Sequence, residues 1–408
     1  MKEKKQHRKG HKIKTFITVV IAIVVVAAVV LVGQLALNKL VNKDYSDLNN
    51  RDEEMLSQLD RLYSVTSGDK EMWQGYDLND QPLILVAKGD HLNFGDDSIN
   101  LIRGTAYAVN VEGLENKAYA QKIDMPGKFK LQNVYRLAAA TPGIMKTWSP
   151  MGNFSGMSDN IGLGSSDHVF FFKYNNDTLK NAGKSDSYLL PFMSHELFHY
   201  AMQQGWSTDE PISYEEQDAD WYSLLGLRYK VMDKLLYGAT HSKFTDTDEN
   251  ISDYVKVTKA LKEADPKMFK KMMNIENAEG TAQFMSVQAS RISKTPDYTF
   301  ITDGRTDKTD FSWTFKYMSK HTDRVADIRW LCYDVGAVLC YTLDEAEGNT
   351  EWQKALNSGQ YKTVNDAVTA YYDSGIGDDK YDSISQIKDK YDFGSLQKTA
   401  EQLYTNLN

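Results

Sequence analysis

Cysteine is almost absent from this chain: two among 408 residues, Cys332 and Cys340, both in an apolar stretch with helical periodicity. Eight residues of helix put them about 12 Å apart, beyond the reach of a disulfide. They read as buried small hydrophobes. No disulfide scaffold supports the fold, and cysteine usage says nothing about redox compartment. Internal repeats and long low-complexity tracts are also lacking, which excludes a repeat architecture. Positive charge is concentrated in the first fourteen residues, which carry seven Lys/Arg against one Glu, or +6. The whole chain carries −9, so the remainder carries −15. An acidic body of this kind excludes nucleic acid as the expected partner. Its charge suits a protein kept soluble outside the cell.

Charge of either sign then disappears from Thr15 to Asn38, 24 residues dominated by Val, Ile, Ala and Leu. As a helix this run spans about 36 Å, enough for the hydrocarbon core of a bilayer. The lipid bilayer is therefore an expected partner of this helix. The basic residues before it predict a cytoplasmic N-terminus and a C-terminal body beyond the membrane. A cleaved signal peptide would have an apolar run of roughly 7–15 residues ending at a small-x-small site. This run is longer and ends Val32-Gly33-Gln34-Leu35-Ala36-Leu37, with no cleavage pair. An uncleaved single-pass anchor is expected.

The pattern divides the rest. Residues 39–80 are charged, with Leu48, Met55, Leu56, Leu59 and Leu62 at helical spacing, and read as a helical stalk or a lid on the next unit. Residues 81–188 contain short apolar runs such as Pro82–Ala87 and His168–Lys173, separated by Gly, Asp and Asn turns, and read as a small mixed or antiparallel sheet. Residues 189–408 are mainly helical, with a looser Asp/Thr-rich interval at about 293–310. The expected class is α+β, a sheet-containing part followed by a helical part, on one N-terminal transmembrane helix. The strand ending near Lys173 has two readings. It is an edge strand free to pair with an extended peptide, or a core strand, given its three consecutive Phe.

Within the helical part stands His195-Glu196-Leu197-Phe198-His199. Two histidines four residues apart on a helix point to one face, where both can ligate one metal, characteristically zinc. The glutamate between them can take the proton of an attacking water. Leu189, Leu190, Phe192, Met193, Leu197, Phe198, Ala201 and Met202 give the segment its helical periodicity, and Gly205 is a plausible stop.

A catalytic zinc needs a third protein ligand, and two glutamates qualify. Glu216, in Ser213-Tyr-Glu-Glu-Gln-Asp-Ala-Asp220, has Asp220 one turn later to orient a ligand histidine. Ser213-x-x-Glu216 also reads as a capping box for a helix running to about Leu236, which would account for that glutamate structurally. Glu279 lies in a segment where Ile275, Ala278, Ala282, Met285, Ala289 and Ile292 follow helical spacing. The periodicity puts Glu279 on the buried side near Ile275, Ala282 and Ser286. A carboxylate there needs a cation, either a metal or an arginine. Gly280 and Ala282 would let this helix approach another closely. Glu279 is the expected third ligand and Glu216 the runner-up.

These segments resemble a family. His195–His199, then Glu279-Gly-Thr-Ala-Gln-Phe284, then Tyr333-Asp-Val-Gly336 in an apolar helix follow the order of the gluzincin metallopeptidases, aminopeptidase-N-like members above all. The resemblance runs over roughly 189–356, about 40% of the chain. It implies a zincin-like fold, zinc held by His195, His199 and Glu279, Glu196 as general base, and Tyr333 stabilising the oxyanion of a peptide or protein substrate. The 80 residues from His199 to Glu279 exceed the aminopeptidase spacing and approach that of membrane-embedded proteases of the same clan. Glu216-x-x-x-Asp220 is similar to the thermolysin-like pattern. An upstream exopeptidase motif is lacking, so an endopeptidase is expected. From another class comes a degenerate zincin serving as a cell-surface binding or assembly module, against which the intact Glu196 stands. His91, His168, His241 and His321 lack metal spacing, although His241, placed in the loop after the long helix, could line a cleft. His7 and His11 belong to the basic tail.

Overall fold

The computed structural model describes residues 2–40, 43–66, 72–87, 106–138, 169–179, 189–207, 214–293 and 310–408, with isolated positions 141, 144, 154 and 155. It is an α+β protein that divides into two compact units, Met1–Ser64 with Asn79–Leu179, and Val65–Leu78 with Lys180–Asn408.

The first unit begins with α1, Lys2–Leu40. Its Thr15–Leu40 portion contains an 18-residue stretch with a mean hydropathy of 3.2 and an exposed surface, so it is long and apolar enough to cross a membrane. The last turn of α1 is built into the sheet that follows. Asn38 donates through Nδ2 to the carbonyls of Tyr119 (3.1 Å) and Arg136 (3.2 Å). Arg136 donates back to Asn38 Oδ1 (2.9 Å) and to the Asn38 carbonyl (2.7 Å). The Lys39 ammonium donates to the Ala120 carbonyl. The Asn38 carbonyl, one of those that a helix C-terminus leaves without a partner, is thereby satisfied by protein.

Helix α2, Asn50–Thr66, starts where Asn49 Oδ1 accepts from the Asp52 amide. Met55, Leu56, Leu59 and Leu62 are fully buried, so this helix is part of the unit's core and not a free stalk. Its buried Asp52 accepts from the hydroxyls of Tyr107 (2.9 Å) and Tyr174 (2.7 Å). Among the described residues six strands form one sheet, β1 (Leu83–Ala87), β2 (Ala106–Val109), β3 (Ala120–Lys122), β4 (Val134–Leu137), β5 (Phe154–Ser155) and β6 (Phe170–Tyr174), in the order β3-β4-β2-β1-β6-β5. Only β1 and β6 pair in parallel, with Leu85 opposite Phe172. Burial on both faces explains the unbroken apolar run of β1. Strand β6 runs into α3, Asn176–Leu179.

The edge-strand reading of residues 168–173 is corrected here. β6 lies between β1 and β5, and Phe171 and Phe172 are already paired with Ser155 and Phe154.

The second unit is helical among its described residues: α4 (Leu189–Met202), α5 (Ala219–His241), α6 (Thr247–Ala264), α7 (Pro266–Ser293), α8 (Phe311–Met318), α9 (Asp327–Glu347), α10 (Glu351–Asn357), α11 (Val364–Tyr371), α12 (Ile384–Lys390) and α13 (Phe393–Leu407). Residues 65–78 belong to this unit, where Trp73 packs edge-on against Phe198 and Trp352. The interval 294–309 lies outside the described residues. Cys332 and Cys340 are both buried free thiols on α9, as their spacing predicts.

Helix α7 is the centre of this unit, packed between α4 and α9. Its contact with α9 is at backbone distance. A Cβ on Gly336 would collide with the Glu276 carbonyl, and one on Gly280 with the Gly336 Cα. On the other side, Ser286 Oγ donates to the Pro191 carbonyl of α4 (2.8 Å). One turn before Glu279, the fully buried Glu276 receives both arms of Arg228 from α5, at 2.6 and 2.7 Å. Burial opposes the charge on Arg228, but Glu276 and Tyr254 outweigh it and hold the guanidinium protonated.

Candidate metal centre

Each ligand candidate is delivered by a rigid element. Helix α4 buries Leu189, Leu190, Met193, Leu197 and Phe198, and sets His195 and His199 against Glu279 of α7. The glycine crossing of α7 with α9 sets Glu279 opposite Tyr333. His195 Nε2 and His199 Nε2 lie 3.0 Å apart, and each is 3.3 Å from Glu279 Oε2.

These three distances test whether the donors fit zinc. Ligand atoms at about 2.0–2.1 Å from a tetrahedral ion are separated from one another by about 3.3 Å. A triangle of 3.0, 3.3 and 3.3 Å is close to one face of such a tetrahedron. Two imidazole nitrogens and one carboxylate oxygen are also the donor set of a catalytic zinc site. Among the described residues this is the cluster able to hold a metal ion.

The electrostatics of the cluster are those of groups forced together. Burial pushes Glu279 up, but hydrogen bonds from His195 and His199 outweigh it and hold the carboxylate well below its usual range. His199 feels the reverse: burial lowers its pKa, and Glu279 and Gln203 raise it by more. Burial raises the Glu196 carboxyl, with the two histidines opposing and Glu279 reinforcing. Tyr333 stacks on His195, with ring centroids 5.8 Å apart and planes 11° from parallel. Its hydroxyl hydrogen-bonds Glu279 and Arg329, and burial, reinforced by Glu279, keeps it protonated.

Gln203 is a member of the site that its residue type did not advertise. Its buried amide nitrogen donates to the Ala278 carbonyl (2.7 Å) and to Thr281 Oγ1 (2.8 Å), both on α7. That fixes which way the amide points, so Oε1 faces His199 Nδ1 at 2.7 Å and accepts its proton. With Nδ1 committed to Gln203, Nε2 is the ring nitrogen of His199 left facing Glu279 and the one that would ligate a metal there. The signal was present as a four-residue spacing from His199, one residue past the end of α4.

The other residues singled out from the sequence fall elsewhere. Glu216 is exposed, in a short 3-10 turn at Tyr214–Glu216, and is not among the clustered donors. Nor does it cap α5. Asp218 does, accepting from the Trp221 amide at 2.8 Å, because its carboxylate is one residue from the first helical turn. Ser213 lies outside the described residues, and Asp220 is exposed. His241 is the last residue of α5 and not a loop residue; it stacks on Tyr237. His321 stacks on Tyr317, while His91 and His168 lie outside the described residues.

Comparison of this chain with family models, with curated proteins and with solved structures returns no match.

Proposed function

We propose that this protein is a membrane-anchored zinc peptidase of the gluzincin type, with a zincin-like catalytic body outside the cytoplasm. The observation that carries this reading is the triangle of His195, His199 and Glu279 donors at tetrahedral spacing, with Glu196 and Tyr333 beside it. Zinc held there would supply Lewis acidity, polarising a peptide carbonyl and making water nucleophilic at neutral pH. Glu196, its carboxyl raised by burial, takes the proton of the attacking water and passes it to the leaving amine. Tyr333, which remains protonated, donates its hydroxyl hydrogen to the oxyanion. Helix α1 holds the body at the bilayer, and the basic residues preceding its apolar run orient it with the N-terminus in the cytoplasm.

The test compares wild type with Glu196→Gln for zinc content and for hydrolysis of a peptide library. Both should hold close to one zinc per chain, and hydrolysis should fall by about a thousandfold in the variant. Equal hydrolysis by both proteins refutes the role of Glu196. A wild type that binds zinc and cleaves no peptide would favour a binding or assembly module instead.

A further inference from the structure

Helix α9 carries an aromatic side chain that its own packing does not require. Ile328, Leu331, Cys332 and Val335 are buried and supply the apolar face of the helix. Trp330 lies on the other side and is 56% exposed, the most exposed large apolar side chain among the described residues of the second unit. A position facing water on a helix suits a polar residue. An indole there forgoes the burial that makes tryptophan favourable in a core.

Its place beside the metal centre gives this side chain a use. The Trp330 ring is 5.3 Å from that of Tyr333, one turn further along α9, and the Tyr333 ring is 5.8 Å from that of His195. The three rings form a row that starts at a donor of the metal triangle, passes the hydroxyl proposed to meet the oxyanion, and ends in solvent. Exposure rises along it: His195 is buried, Tyr333 half-buried and Trp330 open. The row is thus a wall that begins where a peptide carbonyl would be held and presents an indole at its outer end. Successive residues of an extended peptide advance by about 3.3 Å, so a side chain adjoining the scissile bond comes within reach of that indole. Aromatic pairs attract at centroid separations of about 4.5–7 Å, and a substrate ring laid against Trp330 would continue the steps already present.

We propose that Trp330 is a specificity-determining residue of this centre: it packs against an aromatic or large apolar side chain adjoining the scissile bond, so that the protein selects peptides carrying such a residue there. The proposal rests on the peptidase reading. The side chain belongs either to the residue before the bond or to the one after it, and the experiment separates the two.

The experiment uses zinc-loaded full-length protein in detergent and two peptide series built on one cleaved sequence. The first varies the residue before the bond as Phe, Leu or Ala, and the second varies the residue after it in the same way. Wild type should favour Phe over Ala by roughly 10-fold in kcat/KM in one series, as for a single aromatic contact and the area it buries. The series that responds identifies the side of the bond. Trp330→Gln should bring that ratio close to one by losing more on the Phe peptide than on the Ala peptide, and Trp330→Phe should keep most of it. No preference in wild type, or a preference unchanged in Trp330→Gln, overturns the proposal. So does an equal loss on both peptides, which would make Trp330 a support for Tyr333, and so does loss of zinc from both variants, which would make it a support for the metal centre. If wild type cleaves no peptide, the peptidase reading fails by itself. Calorimetric binding of Phe- and Ala-bearing peptide hydroxamates then decides the matter: a Phe preference lost in Trp330→Gln upholds the role of Trp330, and equal binding of the two overturns it.

Discussion

Glu276 and Glu279 are one helical turn apart on α7, and they have opposite surroundings. Glu276 is fully buried and receives two short bonds from Arg228, which also donates to the Tyr254 hydroxyl at 2.7 Å. Glu279 is 17% exposed and meets two histidine nitrogens at 3.3 Å and one arginine at 3.7 Å. At the first position charge is cancelled by a matched fork, and the geometry has no room for anything else. At the second, three potential ligand atoms converge at a separation that suits an ion between them. A buried glutamate by itself does not identify a site; the shape of its compensation does.

The contrast breaks most visibly by substituting each glutamate in turn. Glu276→Gln leaves the Arg228 charge buried without its counter-ion and should cost about 3–5 kcal/mol in denaturant unfolding. Glu279→Gln should cost less than Glu276→Gln in metal-free protein, because its contacts are longer and it is partly exposed, yet abolish stoichiometric zinc binding. Equal destabilisation by the two changes would show that both carboxylates are structural.

Gln203 sharpens the same comparison, because it supports a ligand rather than being one. Gln203→Met removes the acceptor from His199 Nδ1 and both donors to α7. Zinc affinity, measured by competition with a chelator, should fall about 10- to 100-fold while the far-ultraviolet circular dichroism is retained. An unchanged affinity would reduce the His199 bond to an incidental contact.

Asp344 supplies a third, milder case, a carboxylate that accepts from the Trp352 indole at 3.1 Å. Burial pushes its pKa up to about 7, the indole bond opposing and Glu347 reinforcing. The folded chain therefore holds this proton more tightly than the unfolded chain, whose Asp titrates near 3.8. The sign follows: this group is harmless below about pH 4, and its burden on stability grows as pH rises through 4 to 7. Asp344→Asn should then be stabilising at pH 8 and neutral at pH 4, in thermal melts at the two values. A gain of the same size at both pH values would assign the effect to packing.

Legibility in the sequence followed interaction range. The spacing of His195 and His199, and the periodicity around Glu279, depend on one helix each, and both were readable. So were the two apolar strand runs and the long uncharged helix. What could not be read depended on pairing across long separations. Arg228 meets Glu276 across 48 residues, and helical spacing says nothing about such partners. The short strand at 154–155 that turns β6 into an interior strand has too few residues to show a period. Ser213-x-x-Glu216 matched a capping pattern, but Asp218 offered a closer carboxylate to the same helix start. Gly280 and Gly336 were each visible as small residues, while their mutual contact required knowing that two helices cross there.

The locked turn at Asn38 bears on how force passes along this molecule. A flexible tether between an apolar helix and a folded body lets the body tumble, and it absorbs any torque before the body feels it. Here the helix is keyed into the sheet by four bonds that join Asn38 to Arg136 of β4 and to Tyr119 just before β3. Rotating or tilting the shaft must turn the sheet with it or break that buried arrangement. The first unit therefore has a fixed attitude to the axis of α1, and whatever re-angles the helix re-aims the unit by the same angle.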